Sequence, residues 1–288
     1  MLDPNLSIPI EPSAVRSLAA AFLREDVGAG DLTTGAVVDV DHRGRARIEA
    51  RESCIVAGLE IASACFDIAS QGTVKWLPET TDGTRAQAAA VIARLDGPLA
   101  PILTAERTAL NLLQRMSGVA TQAARFVEAI AGTPARIVDT RKTTPGLRLL
   151  ERYAVRVGGA SNHRSGLDDG ILIKDNHLAA VGGDITEAVT RARARAPHSL
   201  RIEVEVTSLE GLQDAVAAGA DIVLLDNFSP DEVRQAVKAV GGKAILEASS
   251  GITLDNVRAY AEAGVDVISI GALTHSARAV DLALEVES

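Results

Sequence analysis

The feature that most constrains this chain is the regular alternation that follows Leu103. Short apolar segments ending near Asp139, Lys174, Val206, Asp226, Glu247 and Ile270 are each succeeded by a helical pattern, including Asp184 to Ala196, Leu209 to Ala218, Asp231 to Val240 and Leu254 to Ala263. Brief apolar strands alternating with amphipathic helices specify β-α units around a parallel sheet, and roughly six units are counted here. Ala218-Gly219-Ala220-Asp221-Ile222 and Ala263-Gly264-Val265-Asp266-Val267 occupy equivalent places, with glycine ending a helix just before a strand. A doubly wound open sheet is the structural alternative. The stretch is short for eight units, so a (β/α) barrel with fewer strands is the expected fold.

The first hundred residues read differently. Val15, Leu18, Ala19, Phe22 and Leu23 have helical spacing, Arg45 to Ala57 is extended, Leu59 to Ile68 is helical, and Thr73 to Pro78 and Ala89 to Leu95 are further strands. This mixture predicts an α+β domain with an antiparallel sheet. Thr104 is placed to cap a long helix through Glu106, Arg107, Leu110 and Leu113, with an interruption at Gly118.

Composition bounds the function. With 47% hydrophobic and 23% charged residues among 288, the chain can bury a large core and does not resemble a disordered one. Its net charge of -9 argues against a nucleic-acid partner. Cys54 and Cys65 lack CxxC spacing and are expected as small core residues, not as a disulfide framework or zinc site. Met1 to Ile10 has no leader-like pattern and no long uncharged apolar run follows, so a cytoplasmic location and no membrane association are expected.

In a parallel barrel the chemistry gathers at the carboxyl ends of the strands. Those ends carry Asp139, Arg141 and Lys142, then Lys174, Asp175 and Asn176, then Glu203 and Glu205, Asp226 and Asn227, and Glu247. Arg and Lys suit a polyanionic substrate, because guanidinium groups bind carboxylate or phosphate in bidentate fashion and an ammonium adds a point charge. Glu205 and Asp226 are suited to holding Mg²⁺ on a pyrophosphate. Ser249-Ser250-Gly251 and the Ser269 to Gly271 segment follow the last two strands, where barrels commonly bind phosphate with backbone N–H groups and a helix N-terminus, and His275 lies close by. Arg191, Arg193 and Arg195 read as a solvated helix face.

These residues stand in motifs that resemble a known family. Glu25-Asp26-Val27-Gly28, Gly30-Asp31-Leu32-Thr33-Thr34 and Thr104-Ala105-Glu106-Arg107 precede the most specific block. That block comprises Asp139-Thr140-Arg141-Lys142-Thr143-Thr144-Pro145-Gly146, Asn162-His163-Arg164 and Ile173-Lys174-Asp175-Asn176-His177. Glu203-Val204-Glu205-Val206, Leu225-Asp226-Asn227-Phe228 and Gly271-Ala272-Leu273-Thr274-His275-Ser276 complete it. Together they are similar to the quinolinate phosphoribosyltransferases, also called nicotinate-nucleotide pyrophosphorylases (carboxylating), over nearly the whole chain.

The resemblance implies transfer of a phosphoribosyl group from phosphoribosyl pyrophosphate to quinolinate, with decarboxylation to nicotinate mononucleotide. It implies that Arg141, His163, Arg164 and Lys174 bind quinolinate, that Lys142 reaches phosphoribosyl pyrophosphate, and that Glu205 and Asp226 serve the ribose and Mg²⁺-pyrophosphate. It also implies at least a homodimer in which Arg107 enters the neighbouring subunit's site. The implied fold is an α/β sandwich over residues 1–115 and an open α/β barrel over residues 116–276, with a last helix over residues 277–288 returning to the first domain. One departure is that Ser250 stands where family members often have the first of two glycines in the phosphate loop. Glu203, Asp175, His177 and His42 receive no role.

Three rival functions differ in chemistry. A related phosphoribosyltransferase acting on nicotinate or another base would need fewer cations than Arg141, Arg164 and Lys174 supply. A Schiff-base lyase would use Lys174 as nucleophile. A non-catalytic phosphosugar-binding barrel would keep many opposed charges on one face without turnover.

Overall fold

The computed structural model describes residues 11–287, so the reading of Met1 to Ile10 lies outside it. The described chain divides into two compact units: residues 11–124, 144–159 and 276–287 form one, and residues 125–143 and 160–275 the other. By this division the first unit also takes in residues 144–159.

In the first unit, α1 (Pro12–Val27) starts with proline in its first turn and buries Val15, Ala19 and Leu23. The short α2 (Leu32–Val37) is capped by the Asp31 carboxylate, which accepts from the Thr34 N–H at 2.9 Å. Next come β1 (Arg43–Ala50), β2 (Cys54–Ile55), α3 (Leu59–Ser70), β3 (Lys75–Pro78), β4 (Arg85–Ala86) and β5 (Val91–Pro98). Phe66 of α3 stacks on Trp76 of β3 with ring centroids 5.8 Å apart. Both Cys54 and Cys65 are buried, and burial pushes the Cys65 thiol up to about 12, as expected of core residues.

The long helix α4 (Leu99–Ala129) corrects two expectations. It begins directly after β5, with Pro101 tolerated in its first turn, so Thr104 is inside it and donates its hydroxyl to Asp31 at 3.0 Å. Gly118 does not interrupt it. A Cβ there would stand 2.0 Å from the Arg278 carbonyl oxygen, so glycine permits close backbone approach. The helix α5 (Arg148–Val157) also belongs to this unit.

The expected C-terminal helix is a strand. From Leu282 to Glu287 the chain forms β12 (Leu282–Glu287), antiparallel to β1 in a sheet ordered β12-β1-β5-β3. Leu282, Leu284 and Val286 face Ala50, Ile48 and Ala46, while Glu285 and Glu287 face Arg47 and Arg45. That is period two, with apolar residues paired on one face and opposite charges on the other.

The second unit contains β6 (Arg136–Val138), β7 (Ile171–Ile173), α6 (Asp175–Ala179), α7 (Ile185–Arg195), β8 (Ile202–Val206) and α8 (Leu209–Ala217). It continues with β9 (Ile222–Asp226), α9 (Pro230–Val240), β10 (Ile245–Ser249), α10 (Val257–Glu262), β11 (Val267–Ser269) and α11 (Ala272–His275). Its six strands are parallel in the order β6-β11-β10-β9-β8-β7. Among the described residues the edge strands β6 and β7 do not pair with each other, which makes the barrel open; Val138 instead bridges Ser161. The repeated Gly-X-Asp segments have a structural role. Gly219 and Gly264 take φ of +83° and +94°, and the following Asp221 and Asp266 accept the N–H groups of Ile202 and Leu246 on adjacent strands at 2.7 and 2.8 Å. Among the described residues no helix is long and apolar enough to cross a membrane.

Candidate active site

A cavity of about 310 Å³ opens at the carboxyl ends of the barrel strands. Arg141 and Lys142 reach it from just after β6, Lys174 from just after β7, Glu205 from β8 and Asp226 from β9. Ser249 and Ser250 border it at the end of β10, and His163 and Arg164 enter from the segment before β7. These nine residues from distant parts of the sequence therefore share one wall.

Local contacts hold each group. Asp139, fully buried, accepts from the His163 N–H at 2.7 Å and from the Asn162 side-chain amide at 2.6 Å, so the carboxylate at the end of β6 anchors the Asn162-His163-Arg164 segment. Lys174 forms an ion pair with Glu205. The backbone N–H of Lys174 donates to His177 Nδ1 at 2.9 Å, which gives His177 a capping role at α6. The Lys142 carbonyl accepts from the Thr274 hydroxyl at 2.8 Å.

Gly271 does not border the cavity itself, but a Cβ there would lie 2.9 Å from Lys142 Cδ and 3.1 Å from the His275 ring. It leaves room for Lys142, with His275 behind. Ser250 has φ of +70°, the left-handed conformation in which glycine is cheapest, and donates its hydroxyl to Asp226. Gly251 follows with φ of +66°, and α10 begins only at Val257, so the loop after β10 does not lead straight into a helix N-terminus as expected. Arg107 is exposed on α4, 3.8 Å from Glu106, and is not among the residues bordering this cavity. Arg191 and Arg193 pair with Glu187 and Asp221, in keeping with a solvated face.

Electrostatics at the wall favour an anion. Burial and the neighbouring Arg141 both work against the Arg164 charge, and Arg141 Nε is buried without a hydrogen-bond partner. Two guanidinium groups held this way are complemented by a ligand bearing more than one negative charge.

Ser269, from the segment expected to bind phosphate, borders the cavity, whereas the sequence reading assigned Thr140 no separate role and left Glu203 and Glu247 without one. The available signal was a carboxylate inside an apolar strand: Glu203 is 4% and Glu247 3% exposed. With His163 they form a cluster whose ligand-type atoms lie within 4.8 Å of one another, distinct from the Glu205 and Asp226 pair expected to hold metal. His163 Nε2 is 3.2 Å from Glu203 Oε2 and 3.5 Å from Glu247 Oε2. Burial opposes charge on this imidazole, and the two carboxylates more than offset that, placing its pKa above the ordinary value. The Arg164 N–H pulls the other way, because it donates to Nδ1 at 2.7 Å and so needs a lone pair there. That contact uses Nδ1 as acceptor and leaves Nε2 to face the two carboxylates as donor. Burial first, and then Glu203, raise the Glu247 carboxyl to about 7.

A second cavity of about 470 Å³ lies at the amino-terminal mouth of the barrel, bordered by Arg136, Ile171, Arg201, Ile222, Ile245 and Val267 at or beside strand starts. His163, Arg164 and Glu247 border both cavities, whereas Glu203 borders only this one.

Comparison with known proteins agrees with this architecture. Residues 31–117 match the N-terminal domain of quinolinate phosphoribosyl transferase, and residues 119–285 match the C-terminal domain. A probable nicotinate-nucleotide pyrophosphorylase (carboxylating) of Bacillus subtilis is 44% identical over 272 residues, covering 94% of this chain and 93% of the relative. The corresponding Mycobacterium leprae protein is 42% identical over 281 residues, covering 96% and 98%. The solved nicotinate-nucleotide pyrophosphorylase of Francisella tularensis superposes with a TM-score of 0.92 at 40% identity, covering 97% of this chain and 98% of that one. Matches to both domain models, with relatives this similar over nearly their full length, show that the chain belongs to the quinolinate phosphoribosyl transferase family.

Proposed function

We propose that this protein transfers the phosphoribosyl group of phosphoribosyl pyrophosphate to quinolinate and releases pyrophosphate and carbon dioxide, yielding nicotinate mononucleotide. The observation that carries the reading is the cation set of one cavity, Arg141, Lys142, Arg164 and Lys174, within a chain of this family. Quinolinate has two adjacent carboxylates, and burial together with Arg141 works against the Arg164 charge until such a dianion lies between them. Nicotinate offers one carboxylate and leaves part of that charge unmatched. The lyase alternative fares worse, because Lys174 is ion-paired with Glu205 and an ammonium has no lone pair to attack a carbonyl.

In this reaction the quinolinate nitrogen attacks the anomeric carbon as pyrophosphate departs, and no covalent nucleophile is required. Lys142 neutralises charge on the departing group, and Glu205 or Asp226 stabilises positive charge at the sugar. Alkylation makes the ring nitrogen cationic, so the electron pair left by loss of the 2-carboxylate is stabilised beside positive charge. Mg²⁺ is the proposed metal: Glu205 and Asp226 border the same cavity and are the hard oxygen donors it prefers. Bound there, it would neutralise the pyrophosphate.

The proposed assembly is a homodimer in which Arg107 serves the neighbouring site. Leu32, Val37 and Val40 support it: they are 87%, 78% and 82% exposed, an apolar surface that a second copy would cover. The decisive test mixes purified protein with quinolinate, phosphoribosyl pyrophosphate and Mg²⁺, following nicotinate mononucleotide and carbon dioxide, with nicotinate in a parallel reaction. Both products from quinolinate alone are expected. Turnover of nicotinate in preference to quinolinate would overturn the substrate assignment.

A further inference from the structure

The proposed reaction leaves one chemical need unmet by the expected residues: C2 of the pyridine ring must acquire a proton once carbon dioxide has gone. Arg141, Arg164, Lys142 and Lys174 are committed to anions, Glu205 is already ion-paired, and His163 Nε2 is turned to Glu203 and Glu247. A donor must border the substrate cavity and hold a proton at neutral pH.

We infer that Glu247 is the acid that protonates C2, and that the cavity at the amino-terminal mouth of the barrel resupplies its proton. The inference rests on the decarboxylating reaction proposed above. Glu247 sits on β10 at the barrel centre with its side chain 4% exposed, and it borders both cavities. Its Oε1 is buried without a hydrogen-bond partner. The groups facing it are Glu203 from β8, His163 from the segment before β7, Ser269 from β11 and Lys174 from the end of β7.

These neighbours account for the proton. His163 has one N–H to offer, on Nε2, and Glu203 is the nearer carboxylate at 3.2 Å against 3.5 Å for Glu247. Two buried carboxyl groups face one donor nitrogen of His163, and keeping both ionised there carries a large cost that protonation of one removes. Glu247 is the one whose carboxyl is raised to about 7. A neutral carboxylic acid also tolerates the incoming quinolinate carboxylates, which an ionised Glu247 would repel.

The step balances. The bond from C2 to its carboxylate breaks, the electron pair remains on C2 and carbon dioxide leaves. The O–H bond of Glu247 breaks as C2–H forms, leaving Glu247 as a carboxylate beside the product's cationic ring. A proton from water in the second cavity then restores the acid, so each turnover takes up one solvent proton at this site.

The test compares wild type, Glu247→Gln and Glu247→Asp in single-turnover assays of nicotinate mononucleotide formation, with quinolinate binding measured separately by calorimetry. Wild type is expected to lose rate as pH rises through about 7, and Glu247→Gln to fall roughly 100-fold or more while binding quinolinate within about twofold of wild type. Glu247→Asp keeps an acid and should recover part of the rate together with the alkaline loss. A Glu247→Gln rate within about threefold of wild type, or a wild-type profile flat from about pH 6 to 8, would overturn the inference. So would failure of both variants to bind quinolinate, which would assign Glu247 to cavity shape. Wild type that makes no nicotinate mononucleotide would remove the reaction itself, an outcome visible before any variant is compared.

Discussion

Ser250 donates its hydroxyl to the Asp226 carboxylate from a backbone held at φ of +70°. The serine accepts a conformation natural to glycine and in return tethers an acidic group of the candidate site. Substitution by glycine removes both features: about 1 kcal/mol of backbone strain is relieved and a hydrogen bond of similar worth is lost. Ser250→Gly should therefore unfold within about 1 kcal/mol of wild type, while its KM for phosphoribosyl pyrophosphate rises about tenfold. Thermal melts and initial rates check both halves, and an unchanged KM would show the tether to be idle.

Asp139 should be needed for both stability and activity. Its buried carboxylate satisfies the His163 N–H and the Asn162 amide, and removing it leaves buried donors unpaired. Asp139→Ala is expected to lose about 3 kcal/mol in urea unfolding and to bind quinolinate poorly because His163 and Arg164 shift. Full activity in the folded variant would show that this anchor does not position them.

Arg164→Lys tests planar recognition against charge alone. The guanidinium already spends Nη1 on the Gly170 carbonyl at 3.0 Å while presenting its charge to the cavity, and an ammonium cannot fork in this way. The KM for quinolinate should rise roughly 10- to 100-fold, with a much smaller change for phosphoribosyl pyrophosphate. Equal effects on both substrates would remove Arg164 from the quinolinate assignment.

Arg107 lends itself to complementation. If it serves the neighbouring subunit, a re-equilibrated equal mixture of the inactive Arg107→Ala and Lys142→Ala proteins contains mixed dimers with one intact site each. Roughly a quarter of wild-type activity should return. No recovery, with subunit exchange confirmed by mass spectrometry, would place Arg107 in its own subunit's site or outside the chemistry.

Glu247 should also mark stability. Burial and Glu203 raise its carboxyl from the ordinary 4.5 to about 7, so between those values the folded protein holds a proton that the unfolded chain releases. Its contribution to stability therefore falls as pH rises through that window. The denaturation midpoint of Glu247→Gln should decline less than that of wild type between these pH values. Parallel curves would show that Glu247 ionises alike in both states.

The local patterns were legible wherever a signal repeats within a few residues. Periodicity in Ile202–Val206, Ile222–Asp226 and Ile245–Ser249 and in the helices between them foretold the parallel barrel, and the charged strand ends foretold Arg141, Lys142, Lys174, Glu205 and Asp226 around one cavity. Those assignments depend on hydrophobic spacing and on the direction of parallel strands, both local properties. Leu282–Glu287 carried a period-two pattern too, but its partner β1 is more than two hundred residues away in sequence, and only the assembled sheet shows the acidic residues meeting Arg45 and Arg47. The Glu203, Glu247 and His163 cluster draws on three segments and takes its character from burial and mutual repulsion, neither of which is written in any one of them. Local spacing was enough for the parallel strands and the charges at their ends; the C-terminal strand, and which of those charges lose water together, follow from packing between segments far apart in the chain.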